Sequence, residues 1–316
     1  MRGGLRAWLD ANPWLWSLLG AVVVWALTAA SVAGRGAGET LSTAFGFATF
    51  YVVVGIGQML VIAAGPGNID LSIPSVMTLA GYLSMGAMHA QDSGLALGVL
   101  IALGVGLAAG IANVVLIRGL NIPPMIATLA AGFVMQSMTI AYSRGSTAKP
   151  APLLLEASLA RVAGVPVIAL AFMAVAVLVS FVLTRSVFGR SVLATGQNAR
   201  AAYLAGIRIG RTMTSVYVVS ALLAAVAGLL LAAYSGGASL NMSEDFLLMS
   251  IAVVVLGGTS IAGGQATVMG VWTASLFLYL IVTMLNVFGV GAGLRYVITG
   301  LIIIGVLAVS KGRQTA

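Results

Sequence analysis

The carboxylate that most needs a partner in this chain is Asp70, in the segment AGPGNIDLSIPSVM from Ala64 to Met77. Gly65, Pro66 and Gly67 break one apolar run there, and a second run restarts with Ser72 as its cap and Pro74 in its first turn, where a missing amide donor costs little. A carboxylate at membrane depth costs roughly 2.5–3.5 kcal/mol on insertion scales, so Asp70 must be engaged. Two engagements fit. It bonds the free amides of the restarting helix, or, with Asn68 and Ser72, it lines or gates a polar path. Gln58, Asn113, Gln136 and Asn286 are further uncharged polar residues inside apolar runs. Each suits a hydroxyl-rich solute or a hydrogen bond between helices.

Several chemistries are excluded by the residue types present. There is no cysteine, so no disulfide, thiolate nucleophile or cysteine metal site, and the solitary His89 builds no histidine metal cluster. A phosphate-binding loop needs a lysine after a glycine, and neither Lys149 nor Lys311 follows one. No Gly-x-Ser-x-Gly elbow or His-Glu-x-x-His helix occurs. No catalytic residue, metal or bound cofactor is expected.

Five of the fifteen basic residues lie between Arg185 and Arg211. Within that stretch Gly196 and Gln197 lead to Asn198, which is placed to cap a short helix from Ala199 to Leu204, and Gly206 is placed to end it. Ala201 and Ala202 give that helix a face flat enough to enter a cleft on another protein. The competing reading is a solvated loop whose arginines only fix orientation.

The elements that position these residues are membrane helices. With 60% hydrophobic and 7% charged residues and a mean hydropathy of +1.11, the chain is far more apolar than a soluble protein, where about a quarter of residues are charged. A net charge of +8 then signals orientation in a lipid bilayer, and no nucleic-acid partner is expected. Runs long enough to cross the hydrocarbon core predict ten spans: Trp14–Ala33, Leu41–Ala64, Ser75–Ala90, Gly94–Ile117, Pro124–Tyr142, Val165–Thr184, Thr212–Ala233, Phe246–Ile261, Ala266–Leu285 and Leu294–Val309. The third and eighth are short. The expected fold is an all-α polytopic bundle with broken helices, one transmembrane domain over residues 1–316.

An even number of spans puts both termini on one side. Arg2, Arg6, Arg118, the five arginines of the basic stretch, Lys311 and Arg313 then share that side, which is predicted to be cytoplasmic, against Arg35, Arg144, Lys149, Arg161 and Arg295 outside. The start of the chain has the charge and apolar core of a signal peptide. Its long apolar run and Trp8, Trp14 and Trp16 favour a retained span. The external connection from about 143 to 164 contains a short helix broken by Glu156 and Arg161, lying along the interface or under a docking partner. Gly104, Gly106 and Gly110 are small-residue packing positions. A second Gly-rich break, LGGTSIAGGQATVM from Leu256 to Met269, echoes the first and hints at an internal duplication.

AGPGNIDLSIPSVMTLAG is similar to the Gly-Gly-x-Asp-Leu-Ser-Val-Gly segment of ribose-type permease subunits of bacterial ABC importers, the branched-chain/monosaccharide permease group. RSVFGRSVLATGQNARAAYLAGI resembles that group's cytoplasmic coupling loop, about 185–211 here, and VLGGTSIAGGQATVMG its late Gly-rich turn. Asn68 and Pro74 stand where the group usually has glycines, making the break stiffer and more polar.

The resemblance implies an inner-membrane, multi-pass permease working with a second permease subunit, identical or related. It also implies cytoplasmic ATPase subunits that carry ATP and Mg, and a periplasmic sugar-binding protein. Alternating access would pass a small sugar or polyol, with Gly196, Gln197, Asn198, Ala201, Ala202 and Gly206 coupling it to the ATPase. The rival is an ATP-independent transporter or channel using Asp70 as an ion or proton site.

Overall fold

The computed structural model describes residues 12, 14–31, 36–144 and 148–314. Arg2, Arg6, Trp8 and Arg35 lie outside the described residues, as do the side chains of Lys311 and Arg313. Thirteen α-helices are described: α1 Trp14–Ser31, α2 Ala37–Ala63, α3 Ile73–Met88, α4 Leu95–Val114, α5 Pro124–Ser143, α6 Pro152–Leu159, α7 Val167–Arg185, α8 Val187–Gln197, α9 Ala199–Leu204, α10 Ile209–Tyr234, α11 Phe246–Leu256, α12 Val268–Val287 and α13 Ala292–Gln314. The ten expected spans correspond to α1 to α5, α7 and α10 to α13. Seven are long and apolar enough to cross a membrane alone; α3, α11 and the described apolar part of α13 are shorter.

The eighth expected span ends early, at Leu256, because Gly257 and Gly258 follow. With eleven residues α11 rises only about 16 Å, half of a hydrocarbon core. The chain before it compensates by dipping into the bundle. Ala238 N–H bonds Ala148 O at one end of the molecule, whereas Ser243 Oγ bonds Pro74 O, at the start of α3, 2.7 Å away.

The core is built around α2, which is buried over most of its length. Helices in lipid gain little from apolar burial and associate by close packing, which small residues permit. A Cβ on Gly106 would lie 2.9 Å from Ala221 O, and one on Gly110 2.7 Å from Val218 Cα, so these glycines seat α4 on α10. Gly104 has nothing near it and points away from that contact. Gly228 seats α10 against the backbone of Met77 on α3, and Gly57 seats α2 against Ser220. The outer faces of α4 and α7 carry exposed Leu100, Leu107, Val177 and Phe181, as a bilayer requires.

The connection after α5 contains α6 and a two-stranded hairpin, β1 Arg161–Val162 and β2 Val165–Pro166, turned by Ala163 and Gly164. Leu153 N–H donates to Asp92 Oδ1 at 2.8 Å, tying α6 to the loop between α3 and α4.

Candidate functional site

Four of the helices above deliver hydrogen-bonding groups to the break between α2 and α3. Asp70 is 1% exposed. Its Oδ1 accepts from Ser72 N–H (3.0 Å) and Ser72 Oγ (2.6 Å), and its Oδ2 accepts from Ser220 Oγ of α10 at 3.1 Å. Its own N–H donates to Gln58 Oε1 of α2 at 3.3 Å. Asn113 Nδ2 of α4 donates to Ser72 Oγ (2.8 Å), Leu71 N–H donates to Thr128 Oγ1 of α5 (3.0 Å), and Tyr217 OH donates to Asn68 Oδ1 (3.4 Å). Gln58 Nε2 and Asn113 Oδ1 are buried without a hydrogen-bond partner.

Four of the seven expected path residues, Gln58, Asp70, Ser72 and Asn113, thus form one sealed cluster, and a fifth, Asn68, is buried next to it on Tyr217. The cluster's carboxylate is held by hydroxyl and amide donors, with no salt bridge among the described residues. Such charge-assisted bonds are stronger than neutral ones. Ser72 does not cap α3 with its own side chain. Its hydroxyl is turned back to Asp70, which takes the Ser72 amide in its place.

The other two lie elsewhere. Asn286 accepts a hydrogen bond from Arg295. Gln136 lines a cleft of about 270 Å³ between α3, α5 and the dipping segment 235–245, floored by Leu71. Asp70 and Ser72 turn into the sealed cluster, and Leu71 between them lines the cleft. Ser75, Thr78, Phe133, Ser243 and Glu244 share its lining. The hydroxyls of Thr78 and Ser243 bond each other. Sequence reasoning missed Thr128 and Ser220, because serine and threonine hydroxyls on apolar helices usually bond their own backbone one turn back, and Tyr217, because an aromatic in an apolar run reads as packing. It also missed Glu244, whose signal was available: with Asp245 it forms a carboxylate pair just before the apolar run of α11.

The basic stretch forms two helices, of which only the second was expected. Ser186 caps α8 through Gly189 N–H (3.0 Å). Asn198 caps α9, accepting from Ala201 N–H at 3.0 Å. At the other end Gly206, with φ +85°, lets Ile207 N–H reach Ala202 O (3.0 Å) and its own N–H reach Tyr203 O (2.9 Å). That double bond pattern is the Schellman stop, which favours glycine. Ala202 was expected on the presented face and is instead buried; Ala201 is exposed, beside Tyr203 (68%) and Leu204 (78%). A six-residue helix closed at both ends has a single buried side, and Ala202 occupies it.

Immediately before α9 the backbone of α8 meets both breaks. Gly264 N–H donates to Ala63 O at 2.9 Å, and Gln197 Nε2 donates to Gly264 O at 3.4 Å. A Cβ on Gly196 would collide with Ala63 O and Gly264 N, and one on Gly263 would lie 2.8 Å from Gly65 Cα. Gly263 and Gly264 have φ of +85° and +77°, so the turn needs glycine for conformation as well as for space. The two Gly-rich breaks and the end of α8 form one junction.

Residues 40–307, which include all of these groups, match the family described as "Branched-chain amino acid transport system / permease component". The chain is 34% identical to the probable ABC transporter permease protein y4mJ of Sinorhizobium fredii, over 84% of this chain and 80% of the relative. It is 30% identical to the autoinducer 2 import system permease protein LsrC of an Enterobacter species, over 85% and 78% of the two chains. It is also 30% identical to the fructose import permease protein FrcC of Rhizobium meliloti, over 82% and 74%. No solved structure matches the chain. Seven helices long and apolar enough to span a membrane and a match over most of the sequence lead to one conclusion: the chain belongs to the branched-chain amino acid transport system permease component family and is a multi-pass permease subunit of an ABC importer.

Proposed function

We propose that this subunit passes a small sugar or related polyol, handed over by a periplasmic binding protein, and that α9 is where a cytoplasmic ATPase drives the passage. The observation that carries the proposal is the construction of α9. It is capped at both ends, it holds Tyr203 and Leu204 in water, and it is continuous with a glycine junction that grips both broken helices. Large apolar side chains exposed on a short rigid helix suit insertion into a partner's cleft. A push on α9 then reaches α2 and α12 through backbone contacts that cannot stretch.

ATP and Mg belong to the ATPase partner. A second permease copy or relative completes the path, and the whole chain acts as one transmembrane domain in the bilayer. The end that carries α8 and α9 is cytoplasmic, with both termini, by the arginine distribution: Arg118 packs on Gly210 there, beside Arg185, Arg190, Arg200, Arg208 and Arg211. Two of the relatives are named for import of fructose and of autoinducer 2, which supports a hydroxyl-rich cargo.

Reconstitution in proteoliposomes with its ATPase and binding protein tests the proposal. ATP-dependent sugar uptake is expected, and Leu204→Asp should abolish ATPase association while leaving membrane insertion unchanged. Gradient-driven uptake by the chain alone, indifferent to ATP, would replace this reading with the Asp70 ion-site rival.

A further inference from the structure

Most polar groups inside the bundle are already paired, but Gln136 and Glu244 are not. Gln136 lies about 18 Å along α5, well inside the span, and its side chain is exposed. Glu244 is exposed on the segment that dips between α3 and α5. Neither side chain has a hydrogen bond or ion pair among the described residues. A free amide and a free carboxylate at this depth lose their hydration unless the space they face is wet.

The space is the 270 Å³ cleft, a little below the range of about 300–1,000 Å³ that holds drug-sized ligands, so it suits a smaller solute. Its remaining lining is apolar apart from the hydroxyls of Ser75, Thr78 and Ser243, two of which are spent on each other. Phe133, 60% exposed, presents a ring to it. No lysine, arginine or histidine lines it.

We propose that Gln136 and Glu244 form a transient recognition site for neutral polyhydroxyl solutes, and that Glu244 turns anionic solutes away. A carboxylate accepts from two adjacent hydroxyls, an amide both donates and accepts, and an aromatic ring covers the C–H face of a sugar. A carboxylate-bearing solute meets an unshielded like charge and no cationic partner. This site rests on the sugar-permease reading and assigns it particular side chains.

Because the chain has no cysteine, the cleft can be tested without transport. In the assembled transporter, Gln136→Cys should react with a cationic water-soluble methanethiosulfonate at least tenfold faster than with an anionic one, relative to their reactivity with a free thiol. Adding Glu244→Gln should erase that preference, fructose or ribose should slow the labelling and gluconate should not. Ser72→Cys, in the sealed cluster, should stay unlabelled. A Gln136→Cys thiol inert to both reagents, or a preference unchanged by Glu244→Gln, overturns the proposal.

Uptake separates this site from the cargo. If Gln136→Ala and Glu244→Ala each lower kcat/KM for labelled monosaccharide uptake tenfold while binding-protein-stimulated ATP hydrolysis persists, the site stands. If wild-type uptake is normal and both variants match it, the site falls and the cargo reading survives. If the wild type takes up leucine and no monosaccharide, the cargo reading falls and takes the polyol assignment with it.

Discussion

The two Gly-rich breaks look alike on paper and are held by different forces. The break after α2 is closed by side chains: one carboxylate gathers donors from its own segment and from α10, while α4 and α5 add an amide and a hydroxyl. The break after α11 is closed by one threonine hydroxyl and by close backbone contact. Thr267 caps α12 through Gly270 N–H (3.1 Å) and donates to Gly257 O (2.8 Å), and Gly257 and Gly270 lie so close that a Cβ on either would collide with the other's backbone. A side-chain network fails when one polar atom goes missing. A backbone contact fails when one methyl group is added.

The largest expected effect is at Asp70. Asp70→Ala leaves the Ser72 amide, the Ser72 hydroxyl and the Ser220 hydroxyl without their acceptor, at about 1–3 kcal/mol for each buried group. The yield of folded protein in detergent should collapse. Asp70→Asn keeps one oxygen for Ser72, and the Ser220 hydroxyl can rotate to accept, so folding and uptake should largely persist. Folded but inactive Asp70→Asn protein would show that the charge itself is needed and favour the ion-site rival.

Next in size is Gly196→Ala. Its new methyl strikes Ala63 O and Gly264 N, and overpacking of this kind costs about 1–3 kcal/mol. Hydrolysis without matched uptake is the expected signature, read as the ratio of solute moved to ATP consumed. Normal stoichiometry would mean that the junction does not transmit the stroke.

Thr267→Val should cost about 2 kcal/mol, from a lost cap and a lost cross-break bond, and lower the melting temperature less than Asp70→Ala does. Asn198→Ala removes the cap of α9, about 0.5–2 kcal/mol of local helix stability. Because α9 is short and buries only Ala202, global unfolding should barely move while affinity for the ATPase drops. Gly104→Ala is the control: with nothing near the position, it should shift stability by less than about 1 kcal/mol.

The legible features were those with local causes. Asn198 and Gly206 marked both ends of α9 because a cap and a stop depend on a few neighbouring residues. Gly106 and Gly110 announced close packing, yet Gly104, with the same composition around it, faces away, and only helix rotation distinguishes them. The helix α8 was not expected because its eleven residues are too short and too polar to read as a span, although Ser186 stood at its start as a cap. Gln136 was grouped with Gln58 and Asn113 because all three are amides in apolar runs. Which of them meets the Asp70 cluster depends on how α2, α4 and α5 pack around the break.

By itself the sequence determined a membrane bundle, its two interruptions, the capped helix in the basic stretch and the lack of an ATPase site. These follow from hydropathy, from glycine and proline, and from residue types that are present or absent within short windows. The tertiary structure alone decided that Asp70 is sealed while Gln136 and Glu244 are open, that Ala202 faces inward, and that two breaks about 200 residues apart share one junction through Ala63 and Gly264. Hydrogen bonds and backbone contacts reach only a few ångströms. Which groups come within that reach is set by the packing of distant helices, which no local window contains.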